Sequence, residues 1–298
     1  MKNAFNLIVN SNGLRLDKYI GEKYPELSRT HAKKLIEEGH ITVNTKSAKA
    51  SLKLKSGDRL SISIPPPEPS HLTANDIPLK IIYEDSDLLV IDKPSNLTVH
   101  PAPGNPGHTL VNAILARFPN LPNGGDVIRP GIVHRLDKNT SGLILIAKNR
   151  EALNNLSNQF KKRLVIKTYL VMVKGHLSPY RGFIEAPIGR NPYNRKRMAV
   201  VENGRDARTE YHVLKYIGDC SLLEVKPETG RTHQIRVHLS AIGYPVVGDT
   251  TYGVKSPFLS RQFVHAHRLG FKLPSNGRFI EFTSELPSDL EQALRVIA

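Results

Sequence analysis

The chain has no tryptophan, one cysteine and three methionines in 298 residues. A single cysteine, Cys220, excludes a disulfide framework and a multi-cysteine zinc site. Its plain reading is a buried, inert thiol. No apolar run approaches the ~18 residues of a membrane-spanning helix. The N-terminal stretch from Met1 to Asn10 is too short in its apolar part for a signal segment. The expectation is a cytoplasmic protein with no membrane partner. Acidic residues are also scarce: 27 Asp and Glu stand against 42 Lys and Arg, a net +15. Such an excess speaks to polyanionic partners, and nucleic acid leads. An anionic membrane surface fits less well, because no basic amphipathic segment with large aromatics is present.

What is present reads as α+β. Residues 13–64 form a compact first domain. Leu14, Leu16, Tyr19 and Ile20 recur at near-helical spacing. Ser28 can cap a second helix, Arg29 to Glu38, with Ala32, Leu35 and Ile36 inward and Gly39 as its stop. Ile41 and Val43 alternate as a strand, and Leu52 to Ile64 reads as two short strands around Ser56-Gly-Asp58. Lys18, Arg29, Lys33, Lys34, Lys53 and Lys55 could share one face. Residues 65–79 are linker, because Pro65-Pro-Pro-Glu-Pro69 cannot enter a helix interior or a central strand.

Residues 80–298 form the second domain. Lys80–Tyr83 and Leu88–Asp92 read as a hairpin. Thr109–Phe118, Arg150–Lys162, Thr232–Ile242 and the tail from Ser288 read as helices. Val165–Val173 is the strongest strand, and further strands fall at Phe183–Ile188, Met198–Val201, Thr209–Tyr216 and Ser221–Val225. Strands outnumber helices and connections are short. A mixed, mainly antiparallel sheet with flanking helices follows.

Two polar clusters stand out. The first, His134-Arg-Leu-Asp-Lys-Asn-Thr-Ser-Gly142, lies between the apolar runs Ile132-Val133 and Leu143–Ala147, both read as strand. Its residue types suit a solvated turn as well as an active loop. Asp137 between Arg135 and Lys138 favours function: a carboxylate beside cations suits a nucleophile, a base or an electrostatic stabiliser. The second cluster is Glu228-Thr-Gly-Arg-Thr-His-Gln-Ile-Arg-Val-His238. Arg231 and Arg236 can bind phosphate or pair with a carboxylate. His233 and His238 are five apart, which misses the helical zinc spacing of four. His265 and His267 complete no ligand frame, so no metal site is expected. Gly248-Asp-Thr-Thr-Tyr-Gly-Val-Lys-Ser256 only approaches a phosphate loop, since Val254 separates Gly253 from Lys255.

Arg15-Leu-Asp-Lys-Tyr19, Ala32-Lys-Lys-Leu-Ile36, Gly39, Ile41-Thr-Val-Asn44 and Gly57-Asp58 together resemble the S4-type RNA-binding domain. Thr45 stands where that pattern more often has glycine. The resemblance implies RNA contacts from Arg29, Lys33 and Lys34. The cluster around Asp137, Lys167-Thr-Tyr169, and Gly230-Arg-Thr-His-Gln-Ile-Arg-Val-His238 resemble the RluA-type pseudouridine synthases, in an RluD-like arrangement. Asp92-Lys-Pro94, Val99-His-Pro101 and Gly243-Tyr-Pro-Val-Val-Gly-Asp249 extend the match. Asn139 departs from it, where that branch often has Asp.

The resemblance implies an isomerase that converts uridine to pseudouridine in structured RNA, most readily large-subunit ribosomal RNA. It implies no cofactor, since nothing is oxidised and no nucleotide is consumed. Asp137 would be the essential carboxylate, Arg236 its ion-pair partner and Tyr169 the ring against the base. Arg135 would fill the space the flipped nucleotide leaves or hold its backbone, and Arg231 would meet a phosphate. A monomer is the default. The alternative is a non-catalytic RNA-binding ribosome-assembly factor; a metal-dependent RNA hydrolase fails on ligand spacing.

Overall fold

The computed structural model describes residues 3–24, 29–65, 72–102, 105–122, 129–195 and 197–297, with the backbone alone for residues 3, 4 and 29–31. Ser28, the prolines at 66, 67 and 69, and Gly104 lie outside the described residues. The chain falls into two compact units, Met1–Leu72 with Pro122–Gly131, and Thr73–Leu121 with Ile132–Ala298.

The small unit runs β1 (Asn3–Ile8), α1 (Leu16–Lys23), α2 (Arg29–Glu37), β2 (Ile41–Val43), β3 (Lys46–Ser47) and β4 (Arg59–Ile64). Leu16, Tyr19 and Ile20 put one stripe of α1 in its core, and Ala32, Leu35 and Ile36 do so for α2. Gly39, at φ +77, turns the chain out of α2 in the left-handed conformation, and the His40 N–H closes on the Leu35 carbonyl at 2.8 Å. The sheet order is β1-β4-β2-β3. β1 pairs with β4 along its whole length, from Asn3↔Ile64 to Ile8↔Arg59. Pairing across more than fifty residues leaves no local periodic trace, so β1 is absent from the sequence reading. Only the second of the two strands expected in 52–64 forms. Lys53 makes a single bridge to Arg15 instead, and Asp58 Oδ2 caps the Lys55 N–H at 2.8 Å.

The larger unit opens with β5 (Lys80–Glu84), β6 (Leu88–Lys93), α3 (Leu110–Arg117), β7 (Ser141–Ala147), α4 (Arg150–Lys161) and β8 (Ile166–Lys174). It continues through β9 (Arg181–Glu185), β10 (Ile188–Arg190), β11 (Met198–Val200), β12 (Arg208–Ile217) and β13 (Cys220–Pro227). It ends with α5 (Gln234–Ala241), β14 (Val264–Lys272), β15 (Phe279–Thr283) and α6 (Ser288–Ile297). Among the described residues the main sheet runs β5-β6-β7-β14-β8-β13-β12-β9, with β15 also on β14. Among the described strands, β7 and β14 alone pair in parallel. The fold is therefore α+β with a mixed, mainly antiparallel sheet.

β7 explains the continuous apolar run Leu143–Ala147. Every residue from Ser141 to Ala147 is buried. Ile144 and Ile146 face a core shared with α3 and α5 through Leu110, Ile114, Ile235 and Leu239. Leu143, Leu145 and Ala147 face the opposite core, where α4 contributes Ala152, Leu153 and Leu156. A strand covered on both faces has no polar side and loses its alternation. Each such leucine or isoleucine contributes about 1.5–3 kcal/mol by leaving water. A third cluster joins Met172 of β8 to Leu290 and Ala293 of α6.

Ile132-Val133 does not form the second flanking strand expected from sequence. Ile132 makes one bridge, to Ile146, and the chain then enters the loop. β14 pairs with β7 only at Ser141 and Gly142, so the edge beyond them is open at Ile146, but the chain bends at Val133 and His134 before a second pair forms.

Candidate active site

Asp137 sits in the loop that leads into β7. The loop closes on itself through the Thr140 N–H and the Asp137 carbonyl, 3.1 Å apart. Buried groups hold it from behind. The Lys93 ammonium, fully buried at the end of β6, donates to the Lys138 carbonyl at 3.1 Å and to the carbonyls of Pro94 and Leu97 at 2.8 and 2.9 Å. Burial pushes the Lys93 pKa down to about 7, against the pull of Asp137. Arg261 donates to the Asn139 carbonyl at 3.0 Å while a bidentate pair with Asp289 of α6 fixes its fork. His134 accepts the Leu145 N–H through Nε2 at 2.9 Å and stacks on Phe160.

Gly142 marks where the loop meets the sheet. Its φ is +106, and an added Cβ would lie 2.3 Å from the Ala266 carbonyl oxygen of β14. A side chain at this point would push β7 off its parallel partner, so glycine is required here on both counts.

Arg236 approaches Asp137 from α5. Its Nη1 donates to Asp137 Oδ2 at 3.0 Å. The rest of the fork clamps Asp249, with Nε–Oδ2 at 2.6 Å and Nη2–Oδ1 at 2.9 Å. Asp249 is itself held by the N–H groups of Thr251 and Tyr252, at 2.8 and 3.1 Å. The Tyr252 ring lies on the guanidinium, 5.1 Å from centroid to Cζ. Burial opposes the Arg236 charge, but Asp249 and Asp137 overcome it and hold the guanidinium above its usual range. Burial likewise opposes the Asp249 charge, and Arg236 reverses this, holding the carboxyl below the usual range. One cation thus serves two carboxylates.

The start of α5 is fixed by Gln234. Its amide donates to the Arg208 carbonyl and Thr209 Oγ1 at 2.9 Å each, and its oxygen accepts from Thr229 Oγ1 at 2.7 Å and the Arg231 N–H at 3.0 Å. A fully paired buried amide at this point sets the helix in register with the sheet.

Tyr169 of β8 completes the group. It pairs in register with Val225 on one side and Ala266 on the other, and it is 9% exposed. Burial first, and then the charge of Asp137, push its phenol pKa well up. Asp137, Tyr169, Arg236, Arg135 and Arg231 all line one cleft of about 460 Å³. Arg135 is exposed. Arg231 donates through Nε to the Asp206 carbonyl at 3.0 Å. Lys161, Arg163 and Lys167 add to the basic rim; burial lowers the Lys167 pKa to about 8. Six lysines and arginines thus face two carboxylates, Asp137 and Glu228, in a lining of net positive charge that suits an anionic polymer. Among the described residues no cluster of three or more His, Cys, Asp or Glu could hold a metal ion.

The RNA pseudouridylate synthase family profile matches residues 87–241, and the S4 domain profile matches residues 14–60. The chain belongs to the RNA pseudouridylate synthase family. An "uncharacterized RNA pseudouridine synthase" of Chloroflexus aurantiacus is 51% identical over 94% of this chain and 89% of its own length. "Ribosomal large subunit pseudouridine synthase D" of Zymomonas mobilis is 40% identical over 96% of this chain and 94% of its own. Among solved structures, "Human RNA Pseudouridylate Synthase Domain Containing 1" is 32% identical with a TM-score of 0.57, covering 78% of this chain and 98% of that one.

The other basic residues expected to meet RNA belong to the S4 domain of this synthase. Lys33 and Lys34 are exposed on α2, each beside a glutamate one turn on, at 3.5 Å. The Arg29 side chain lies outside the described residues. The sequence reading passed over Asp249, Tyr252 and Lys93 as site residues. Asp249 and Tyr252 sit in the stretch set aside as a failed phosphate loop. The signal was there in another form: an aspartate two and three residues before free N–H groups makes a side-chain-capped turn.

Proposed function

We propose that the synthase isomerises specific uridines in structured RNA, with large-subunit ribosomal RNA as its substrate, through base flipping and an aspartate-dependent exchange of the glycosidic bond. The observation that carries this is Asp137 standing in the basic cleft, with Arg236 on one carboxylate oxygen and the Tyr169 ring in the same cleft. In the reaction the bond from uracil N1 to the sugar breaks, the base turns, and carbon 5 bonds to the anomeric carbon. The proton on carbon 5 is lost and N1 gains one, so atoms balance without an external reagent. Asp137 acts on the sugar, either at the anomeric carbon or on a neighbouring proton. The Tyr169 ring supports the uracil face. The target base must first leave its stack, at a cost of a few kcal/mol that is smallest in loops. Arg135, exposed at the cleft, is placed to fill the space it leaves. The S4 domain and the basic cleft supply the phosphate contacts. The name of the Zymomonas relative supports the ribosomal substrate.

The test uses ribosomal RNA labelled with tritium at carbon 5 of uridine. The wild-type chain is expected to release label, and Asp137→Asn to release none. Full release by Asp137→Asn would refute the role of the carboxylate. Tight binding without release from any ribosomal RNA would point instead to an assembly factor.

A further inference from the structure

One titratable group in the cleft has no part in the chemistry above. His233 precedes α5 with φ 56 and ψ 20, in the left-handed region. That conformation costs about 1–3 kcal/mol outside glycine, and such strain persists only where the surroundings hold it. Its Nε2 lies 4.0 Å from Asp137 Oδ1. Arg236 holds the other oxygen, Oδ2.

Tyr252 holds the imidazole from behind. Its hydroxyl oxygen accepts the Met198 N–H at 2.8 Å and meets His233 Nδ1, also at 2.8 Å. The same ring covers Arg236. Tyr252 therefore touches both His233 and Arg236, one beside each oxygen of the Asp137 carboxylate.

The inventory of donors places the imidazole proton. Burial lowers the His233 pKa, with Asp137 pulling the other way, so the ring is neutral with one N–H. A proton on Nδ1 would turn the Nε2 lone pair towards a carboxylate oxygen, which is repulsive. A proton on Nε2 turns an N–H dipole towards that oxygen. It also leaves Nδ1 free to accept the phenol hydrogen of Tyr252, whose oxygen already serves Met198. Only the second arrangement suits every group.

We propose that His233 is a positioning residue: Tyr252 fixes its tautomer, and its Nε2–H orients Asp137 from the side opposite Arg236. The gap of 4.0 Å exceeds a hydrogen bond and closes when RNA fills the cleft. Two donors on two oxygens then set the plane of the carboxylate against the sugar. A carboxylate held on one side alone can rotate, and misplacement of about 1 Å at a reacting atom costs roughly a hundredfold in rate.

The kinetic part of this inference rests on the function proposed above; the spectroscopic part does not. The first experiment labels histidine with nitrogen-15 in the full chain and reads which ring nitrogen carries the proton. The His233 signal is assigned by its loss in His233→Gln. Nε2–H is expected in the wild type, and a mixture of tautomers in Tyr252→Phe. Nδ1–H in the wild type overturns the proposal. The second experiment measures single-turnover tritium release and RNA affinity for His233→Leu and His233→Gln. Both replacements carry the same backbone strain, and only Gln returns an N–H near the Nε2 position. Leu is expected to slow release by about 10- to 100-fold with affinity within about twofold, and Gln to recover most of the loss. Equal losses in the two variants, or a loss confined to affinity, overturn the positioning role. A wild-type chain inactive on all RNA would count against the proposed function, and the tautomer would still decide the orientation of His233.

Discussion

Consider replacing Arg236 by methionine and, separately, Asp137 by asparagine. The wild-type group of Asp137, Arg236 and Asp249 sums to one negative charge. Their side chains are 18%, 8% and 1% exposed, so water screens them little. At an effective dielectric near 20, charges 3.0 Å apart interact by about 5 kcal/mol before desolvation is subtracted. Arg236→Met removes the only cation and leaves two carboxylates facing a pocket shaped for a guanidinium. Breaking a buried pair in this way costs about 3–5 kcal/mol. Asp137→Asn leaves the bidentate Arg236–Asp249 pair intact, and the amide oxygen still accepts Nη1. That variant is expected within about 1 kcal/mol of wild type, although the proposed reaction is abolished. The assay is urea unfolding followed by far-ultraviolet circular dichroism, because the chain has no tryptophan to report. In the double variant the Asp137 charge is gone, so part of the Arg236→Met loss should return, by about 0.5–3 kcal/mol of coupling. Equal losses in the two single variants, or a double variant no more stable than Arg236→Met, would refute this account of the charges.

Three further outcomes are expected. Gly142→Ala should lose about 3 kcal/mol in urea unfolding, from a left-handed φ and a Cβ that meets the Ala266 carbonyl. His134 is held neutral by burial, with its pKa near 3 against 6.5 for a free imidazole. The unfolded chain therefore binds the extra proton first. The stability His134 contributes is full above pH 6.5 and is lost as pH falls towards 3, about 2 kcal/mol of it by pH 5. A shallower acid-side loss of urea midpoint in His134→Asn checks this, since no imidazole is left to protonate. Lys33→Ala with Lys34→Ala should lower the slope of log affinity against log salt by about 1.5 if each meets one phosphate; an unchanged slope would remove α2 from the RNA surface.

Much of the fold was legible because it is local. α4 shows Leu153, Leu156 and Phe160 on one stripe, and it forms within one residue of the expected span. α3 forms one residue inside the expected span at each end, Leu110–Arg117, with Thr109 as its cap. What stayed hidden is non-local. β14 and β15, near the C-terminal end, carry no motif, yet β14 is the strand on which β7, β8 and β15 all pair. The Ile132-Val133 run looks like a strand and makes a single bridge, to Ile146, because the chain bends away from the sheet at Val133. Residue types and spacing cannot show where the chain leaves the edge of a sheet.

Asp137 illustrates the division. Its loop, with cations on both sides and an apolar strand behind, is written in consecutive residues, and so are the stripe of α5 and the turn at Asp249. Chain chemistry alone therefore determined the parts: a charge that suits nucleic acid, a compact N-terminal unit of helices and strands that resembles the S4 domain, a polar loop before an apolar strand, and an arginine on a helix. The tertiary structure decided their use. It turned Arg236 to two carboxylates, one 99 residues away and one 13, and it put the remaining Asp137 oxygen opposite His233. Local propensity is set by neighbours within a few positions. A shared charge in a closed cleft depends on the register of β7, β14 and β8 and on where α5 crosses them, and only the folded chain holds that information.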